Sequence, residues 1–238
     1  MTTFVTSFID LNTTEDRPLN RDTNFYIKKG KELLSNPYPF IVFIDKITYE
    51  LIDIKRDNIL FHIISLSDLN LPNKDIMLPA NRNLKKDTFY YLSIMCKKTF
   101  FIKKAIEMNP FNSTHFSWID FGILHIIKND NEMNKFHKSL ERISNYKCNK
   151  IRIPGCIHPD YIEFLSNRII WSFCGGFFCG DKESLLIFCN ETENIVSLLE
   201  KHNFLLWEVN IWLLIYKKNP ELFDWYPGDH NSTMLINF

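Results

Sequence analysis

Four short stretches hold residues whose types and spacing suit chemistry. The first is Phe116-Ser-Trp-Ile-Asp120-Phe-Gly122, a β-rich run that ends in a carboxylate and then a glycine. A carboxylate so placed offers oxygen to a hard cation, Mn²⁺ or Mg²⁺, which commonly shares its shell with a diphosphate. Gly122 would let a bulky anion approach the backbone. The same aspartate also suits a plain turn cap. The second is Trp171-Ser-Phe-Cys-Gly-Gly-Phe-Phe-Cys-Gly180. Gly175 and Gly176 among aromatics call for unusual backbone angles or close ligand contact, as at a sugar face; a tight junction explains them equally well. The third is Trp207-Glu-Val-Asn-Ile-Trp212, where Glu208, Ile211 and Trp212 share a helical face. A glutamate held among apolar rings suits a general base or a hydroxyl acceptor, and an exposed glutamate on an amphipathic helix is the other reading. The fourth is Trp225-Tyr-Pro-Gly-Asp-His-Asn231, in which His230 suits a metal, a phosphate or a polar surface turn.

These residues need elements to position them. Apolar β-rich runs at 4–9, 40–44, 58–65 and 115–119 read as strands, and 21–34 and 87–109 as helices stopped by Asn36-Pro37 and Asn109-Pro110. The order β-α-β-β-α-β argues for an α/β fold, a mostly parallel central sheet flanked by helices. Ligands of such sheets bind beyond the carboxyl ends of the strands. Asp10, Asp45 and Asp120 all follow strand ends, and Arg17 and Arg21 lie where they would meet phosphates or stand solvated. In the second half, 128–144, 161–167, 182–201 and 204–218 read as helices, and 169–173 and 234–238 as strands. The lysines at 97, 98, 103 and 104 read as a solvated helix face.

Composition excludes several classes. With 28 basic and 28 acidic residues, the net charge is +0, so no global field draws in nucleic acid or an anionic membrane. No apolar run is long enough for a transmembrane segment. There is no basic, apolar leader, and six cysteines show no CxxC pair, so free thiols and a cytoplasmic setting are expected. No GxSxG marks a serine hydrolase. Gly is rare, at 7, and five of those glycines fall in the stretches above or at Gly228.

Taken in order, the Asp120 segment, Gly-Gly-Phe-Phe-x-Gly, Trp-Glu-Val-Asn-x-Trp and Trp-Tyr-x-Gly-Asp-His resemble the bacterial HtrL/YibB-like family, which includes WlaTC-type putative glycosyltransferases. The resemblance implies a GT-A-like fold as one domain over 1–238, with a nucleotide-binding half (1–127) and an acceptor half (128–238). It implies a nucleotide-sugar donor, a saccharide or glycoconjugate acceptor and metal assistance. GT-A-like proteins usually carry Asp-x-Asp where this chain has Asp120-Phe-Gly122, so Asp120 would hold Mn²⁺ or Mg²⁺ with help from His230. Asp10 and Asp45 would border the nucleoside, Arg17 and Arg21 the phosphates, and Gly175 and Gly176 the sugar, with Glu208 as acceptor base. An inactive sugar- or nucleotide-binding module is the alternative. A nucleotidyltransferase is less favoured, because 11–20 has no glycine.

Overall fold

The computed structural model describes residues 1–12, 21–164 and 166–238, so Arg17 lies outside the described residues. The elements are β1 (Thr2–Phe8), α1 (Thr23–Leu34), β2 (Phe40–Ile44), α2 (Lys46–Ile52), β3 (Ile59–Ile63), α3 (Phe89–Met95), α4 (Lys98–Met108) and β4 (His115–Ile119). They continue as α5 (Asp130–Asn145), β5 (Ile151–Gly155), β6 (Phe177–Asp181), α6 (Lys182–Lys201), α7 (Glu208–Lys218), β7 (Phe223–Pro227) and α8 (Thr233–Ile236).

The strands form one sheet in the order β3-β2-β1-β4-β6-β5-β7. Six strands run the same way. Only β6 is reversed, pairing antiparallel with both β4 and β5. The expected α/β class with a mostly parallel sheet is thus the observed one.

Period-2 geometry explains why β2 is apolar throughout. Ile41 and Phe43 point into one core and Phe40, Val42 and Ile44 into the other. Burial on both faces removes the usual alternation. The first core lies under α3, α4, α6 and α7, the second under α1, α5 and α8.

Five expectations change. A helix, α2, separates β2 from β3, so the first half begins β-α-β-α-β; Asp45 caps it by accepting from the Thr48 amide at 2.9 Å. The helix expected over 87–109 is two helices, broken at Cys96 and Lys97, whose ψ of −14° and 1° turns the axis with no Pro or Gly to mark the place. Residues 169–173 form no strand. Their backbone bonds form no ladder: the Ile170 amide donates to Asn210 Oδ1 at 2.8 Å, the Trp171 carbonyl accepts from the Cys156 amide at 3.0 Å, and the Ser172 carbonyl accepts from Trp225 Nε1 at 2.9 Å. Among the described residues of 161–167, only the first is helical, closing the short 3₁₀ turn Pro159–Tyr161. The last apolar run is helical, not extended: Asn231 bonds the Thr233 amide, and Met234 and Leu235 enter the second core. Short apolar runs carry no period of their own, so strand and helix look alike there.

Candidate functional site

The strand directions bring the chemistry to one edge. The carboxyl ends of β1, β2, β4, β5 and β7 lead to Asp10, Asp45, Asp120, Cys156 and Asp229-His230. Because β6 is reversed, Gly175 and Gly176 precede it at this same edge. The order reverses between β1 and β4, and such a switch point is where α/β sheets leave a ligand crevice.

At the centre lies a group that the sequence reading missed. Lys98, expected to be solvated, is 2% exposed. Its Nζ stands 3.1 Å from Asp120 Oδ1, 3.2 Å from Glu208 Oε1 and 2.8 Å from the Gly175 carbonyl. Asp120 Oδ1 also accepts from Trp118 Nε1 at 2.8 Å. Burial works against the Lys98 charge, but the Asp120 and Glu208 carboxylates outweigh it and raise its pKa above the ordinary value. The trio carries one positive and two negative formal charges, a net −1, with Lys98 and Glu208 buried and Asp120 reaching solvent.

The local signal was a face. Lys98 opens the stripe completed by Phe101, Ile102 and Ala105, all buried. A lysine on that stripe requires a counter-charge. Lys97 and Lys104 do lie at the surface, where Lys97 reaches the Asn70 carbonyl and Lys104 pairs with Glu107.

The glycines act by being small. No described glycine has a positive φ, so the unusual backbone angles expected around Gly175 are absent. A Cβ on Gly175 would stand 2.5 Å from Glu208 Oε1 and 3.2 Å from Lys98 Nζ. On Gly176 it would meet Met234 Sδ at 2.8 Å. At Gly122 the space expected for an anion holds the Tyr26 ring, 2.8 Å from such a Cβ. The Asp120 amide donates to the Gly176 carbonyl at 3.0 Å, which joins the two segments.

The other expected residues make contacts of their own. Asp10 accepts from Asn12 and from the Thr23 hydroxyl, and its amide donates to Asp45 Oδ2 at 3.0 Å. These bonds tie the β1 and β2 ends to the start of α1. The Arg21 guanidinium lies 5.2 Å from the Phe25 ring centre. Burial lowers the His125 pKa, and the contact of its Nδ1 with the Gly122 carbonyl at 2.7 Å opposes the lowering. Burial first, then the Glu208, Asp120 and Asp87 carboxylates, push the Tyr91 hydroxyl well above its ordinary value. His230 packs edge-on against Trp171, 4.1 Å between ring centres, and its imidazole joins the thiols of Cys156 and Cys174. Asp120 is not a member of that group. An open depression lined by Lys135, Lys138, Glu141, Arg142 and Ile236 contains none of these residues.

The chain is a mixed α/β protein. Residues 82–234, more than half of it, match the family described as "Bacterial protein of unknown function (HtrL_YibB)", and the chain belongs to that family. No curated protein matches it. One similar solved structure is mouse xyloside xylosyltransferase 1, with 12% identity and TM-score 0.47 over 95% of this chain and 85% of that one. Another is a 4-diphosphocytidyl-2C-methyl-D-erythritol synthase from Anaerococcus prevotii, with 10% identity and TM-score 0.45 over 100% and 92%. A glycosyltransferase involved in glycosylation of the major capsid of PBCV-1 shows 13% identity and TM-score 0.40 over 95% and 82%. Among the described residues, no helix is long and apolar enough to cross a membrane.

Proposed function

We propose that the chain is a glycosyltransferase that moves a sugar from a nucleotide-diphosphate donor to a saccharide or glycoconjugate acceptor. The observation that carries this reading is the Lys98–Asp120–Glu208 cluster at the β1/β4 switch point. A net −1 charge beyond parallel strand ends suits a divalent cation that in turn meets a diphosphate.

The oxygen donors at Asp120 suit that cation. Both recorded bonds of the Asp120 carboxylate fall on Oδ1, and the side chain is 36% exposed. Oδ2 is therefore the oxygen offered. Mg²⁺ is commonly held by one or two carboxylates with phosphates and water supplying the rest, so a single oxygen fits Mg²⁺ or Mn²⁺ brought in with the donor. When bound, the ion supplies Lewis-acid charge to the leaving diphosphate. His230, among thiols, has no part in this set.

The chain's own residues do the remaining work. Lys98 fixes Asp120 and Glu208 and halves their combined charge. Glu208 keeps Oε2 to accept from the acceptor hydroxyl. In an inverting displacement the acceptor oxygen bonds to the anomeric carbon, the carbon–oxygen bond to the diphosphate breaks, and the diphosphate leaves with the electron pair. The hydroxyl proton passes to Glu208. If configuration is retained, Glu208 only positions the hydroxyl. Arg21 approaches the phosphates. Asp10 and Asp45 border the nucleoside, and Gly175 keeps the Glu208 carboxylate and the Lys98 ammonium free to stand close to the backbone.

A second reading, a binding module without turnover, is favoured by one observation: Lys98 already occupies an oxygen of each carboxylate. Thermal shifts with nucleoside diphosphates and sugar nucleotides, with and without Mn²⁺, followed by product analysis, separate the two. A Mn²⁺-dependent shift with turnover, lost by about 10²–10³-fold in folded Asp120→Asn, supports the transferase. A shift without transfer or hydrolysis supports the module. No shift with any nucleotide removes both.

A further inference from the structure

We propose that Cys156, Cys174 and His230 form a zinc site that staples three loops at the carboxyl edge of the sheet. Cys156 directly follows β5, Cys174 precedes β6, and Asp229 and His230 follow β7. The loops already meet through backbone bonds, the Cys156 amide to the Trp171 carbonyl and the Gly228 amide to the Gly155 carbonyl, each at 3.0 Å, and a shared ion would add a cross-link between their side chains.

The spacing is the main argument. The two Sγ atoms lie 3.9 Å apart. One ligand atom from each of Cys156, Cys174 and His230 falls within 4.8 Å of the others. A tetrahedral Zn²⁺ with Zn–S bonds of about 2.3 Å separates two sulfurs by about 3.8 Å. A disulfide would need about 2.05 Å, so the thiols stand at the distance of ligands to one ion. The Cys156 thiol donates to Asp229 Oδ1 at 3.3 Å, which places that carboxylate beside the three ligand atoms. The His230 amide donates to the same Oδ1 at 2.6 Å, which turns the carboxylate back toward the cluster. Trp171, edge-on at 72°, restrains the imidazole.

Donor softness selects the metal. Two thiolates with an imidazole suit Zn²⁺, whereas Mg²⁺ and Mn²⁺ prefer all-oxygen sets. Three protein donors hold the ion and leave the fourth position of the tetrahedron to water. The site is distinct from Asp120 and does not rest on the transferase reading. It would nevertheless reach the central cluster. Cys174 is bonded to Gly175, whose carbonyl accepts from Lys98 at 2.8 Å, and the Cys174 amide is held by the Pro154 carbonyl at 2.7 Å. Fixing Cys174 fixes that carbonyl.

The test uses the whole chain, reduced with a phosphine, stripped by a chelator and titrated with Zn²⁺ against a chromophoric competitor. Co²⁺ serves as the spectroscopic probe. The expected result is one Zn²⁺ per chain, a rise in Tm, and thiolate charge-transfer and tetrahedral d–d bands with Co²⁺. Cys156→Ser and His230→Gln, both at exposed positions, each weaken Zn²⁺ binding by more than about tenfold with unchanged circular dichroism, and Cys148→Ser does not. If Cys174→Ser fails to fold, those two variants still decide the matter. The proposal is overturned by no Zn²⁺ binding, by an octahedral Co²⁺ spectrum, or by Zn²⁺ retained in both variants. It is also overturned if metal-free air oxidation joins Cys156 to Cys174 and added Zn²⁺ gives no protection.

Discussion

Replacing Lys98 with methionine tests the central cluster most directly. The side chain is 3% exposed, and methionine keeps its length and apolar stem while removing the charge. Asp120 and Glu208 are then left without a cation, and the Glu208 side chain is only 10% exposed. Stranding a buried partner costs about 3–5 kcal/mol. At about 2–4 °C per kcal/mol for a chain of this size, the Tm falls by about 6–20 °C. The loss should depend on pH. In Lys98→Met the folded state favours protonated carboxyls, raising their pKa above the unfolded value, so the folded state binds more protons. Stability of the variant therefore rises as pH falls toward the carboxyl range, and the gap to wild type narrows. The wild-type contribution of Lys98 has the opposite course: with its pKa raised, it is complete near neutrality and lost only above the ordinary lysine range. The triple variant Lys98→Met/Asp120→Asn/Glu208→Gln removes every charge and should recover more than half of the lost stability. Lys104→Met is the control, since its partner Glu107 is 49% exposed and the pair contributes less than about 1 kcal/mol. Thermal and urea unfolding at pH 5 and pH 7.5 give the answer. A Lys98→Met Tm equal to that of Lys104→Met, with no pH dependence, would refute the buried-charge argument.

Further expectations follow from single contacts. Gly175→Ala places a methyl 2.5 Å from Glu208 Oε1, which Lys98 holds in place; a loss of about 1–3 kcal/mol in urea unfolding is expected, together with lost donor binding. Gly155→Ala puts a Cβ 1.8 Å from the Ser172 carbonyl oxygen, a backbone atom that cannot swing away, so no soluble folded protein is expected by gel filtration. Asn210→Ala strips the Ile170 amide and the Arg168 carbonyl of their partners, each 2.8 Å away, and should cost about 1–3 kcal/mol per stranded group. Burial lowers the His115 pKa, so its contribution is present above about pH 6.5 and lost as pH falls through the folded value. In His115→Gln the unfolding curve should lose part of that acid limb.

The extent to which this fold can be read from sequence follows from how local each cause is. β2 and β4 were legible because five consecutive buried residues have no other use in a chain this polar. Helix α6 was legible end to end, since its caps and apolar stripe are both written within it. β5 was not, because Arg152 and Pro154 interrupt its apolar run. Arg152 is used there by pairing with Asp224 on β7 at 2.6 Å, a partner 72 residues away. The break between α3 and α4 has no breaker residue. It is made where Cys96 Sγ meets the Leu206 carbonyl and where the next turn carries Lys98 to its partners.

The site divides on the same line. Asp120, Gly175 and Glu208 stood out because a strand-end acid, a glycine among aromatics and a glutamate beside tryptophan are each unusual over a few residues. What joins them did not stand out. Lys98 lies 77 residues from Gly175 and 110 from Glu208, and lysine is among the commonest residues in this chain. The reversed strand β6 explains why distance in sequence misleads here. By running against its neighbours it returns Gly175 to the edge where β4 ends, and α6 then carries the chain the length of the sheet to deliver Glu208 there as well. A parallel β6 would put Gly175 at the far edge and leave Lys98 without its shortest bond, so the cluster is a property of the topology before it is a property of any motif.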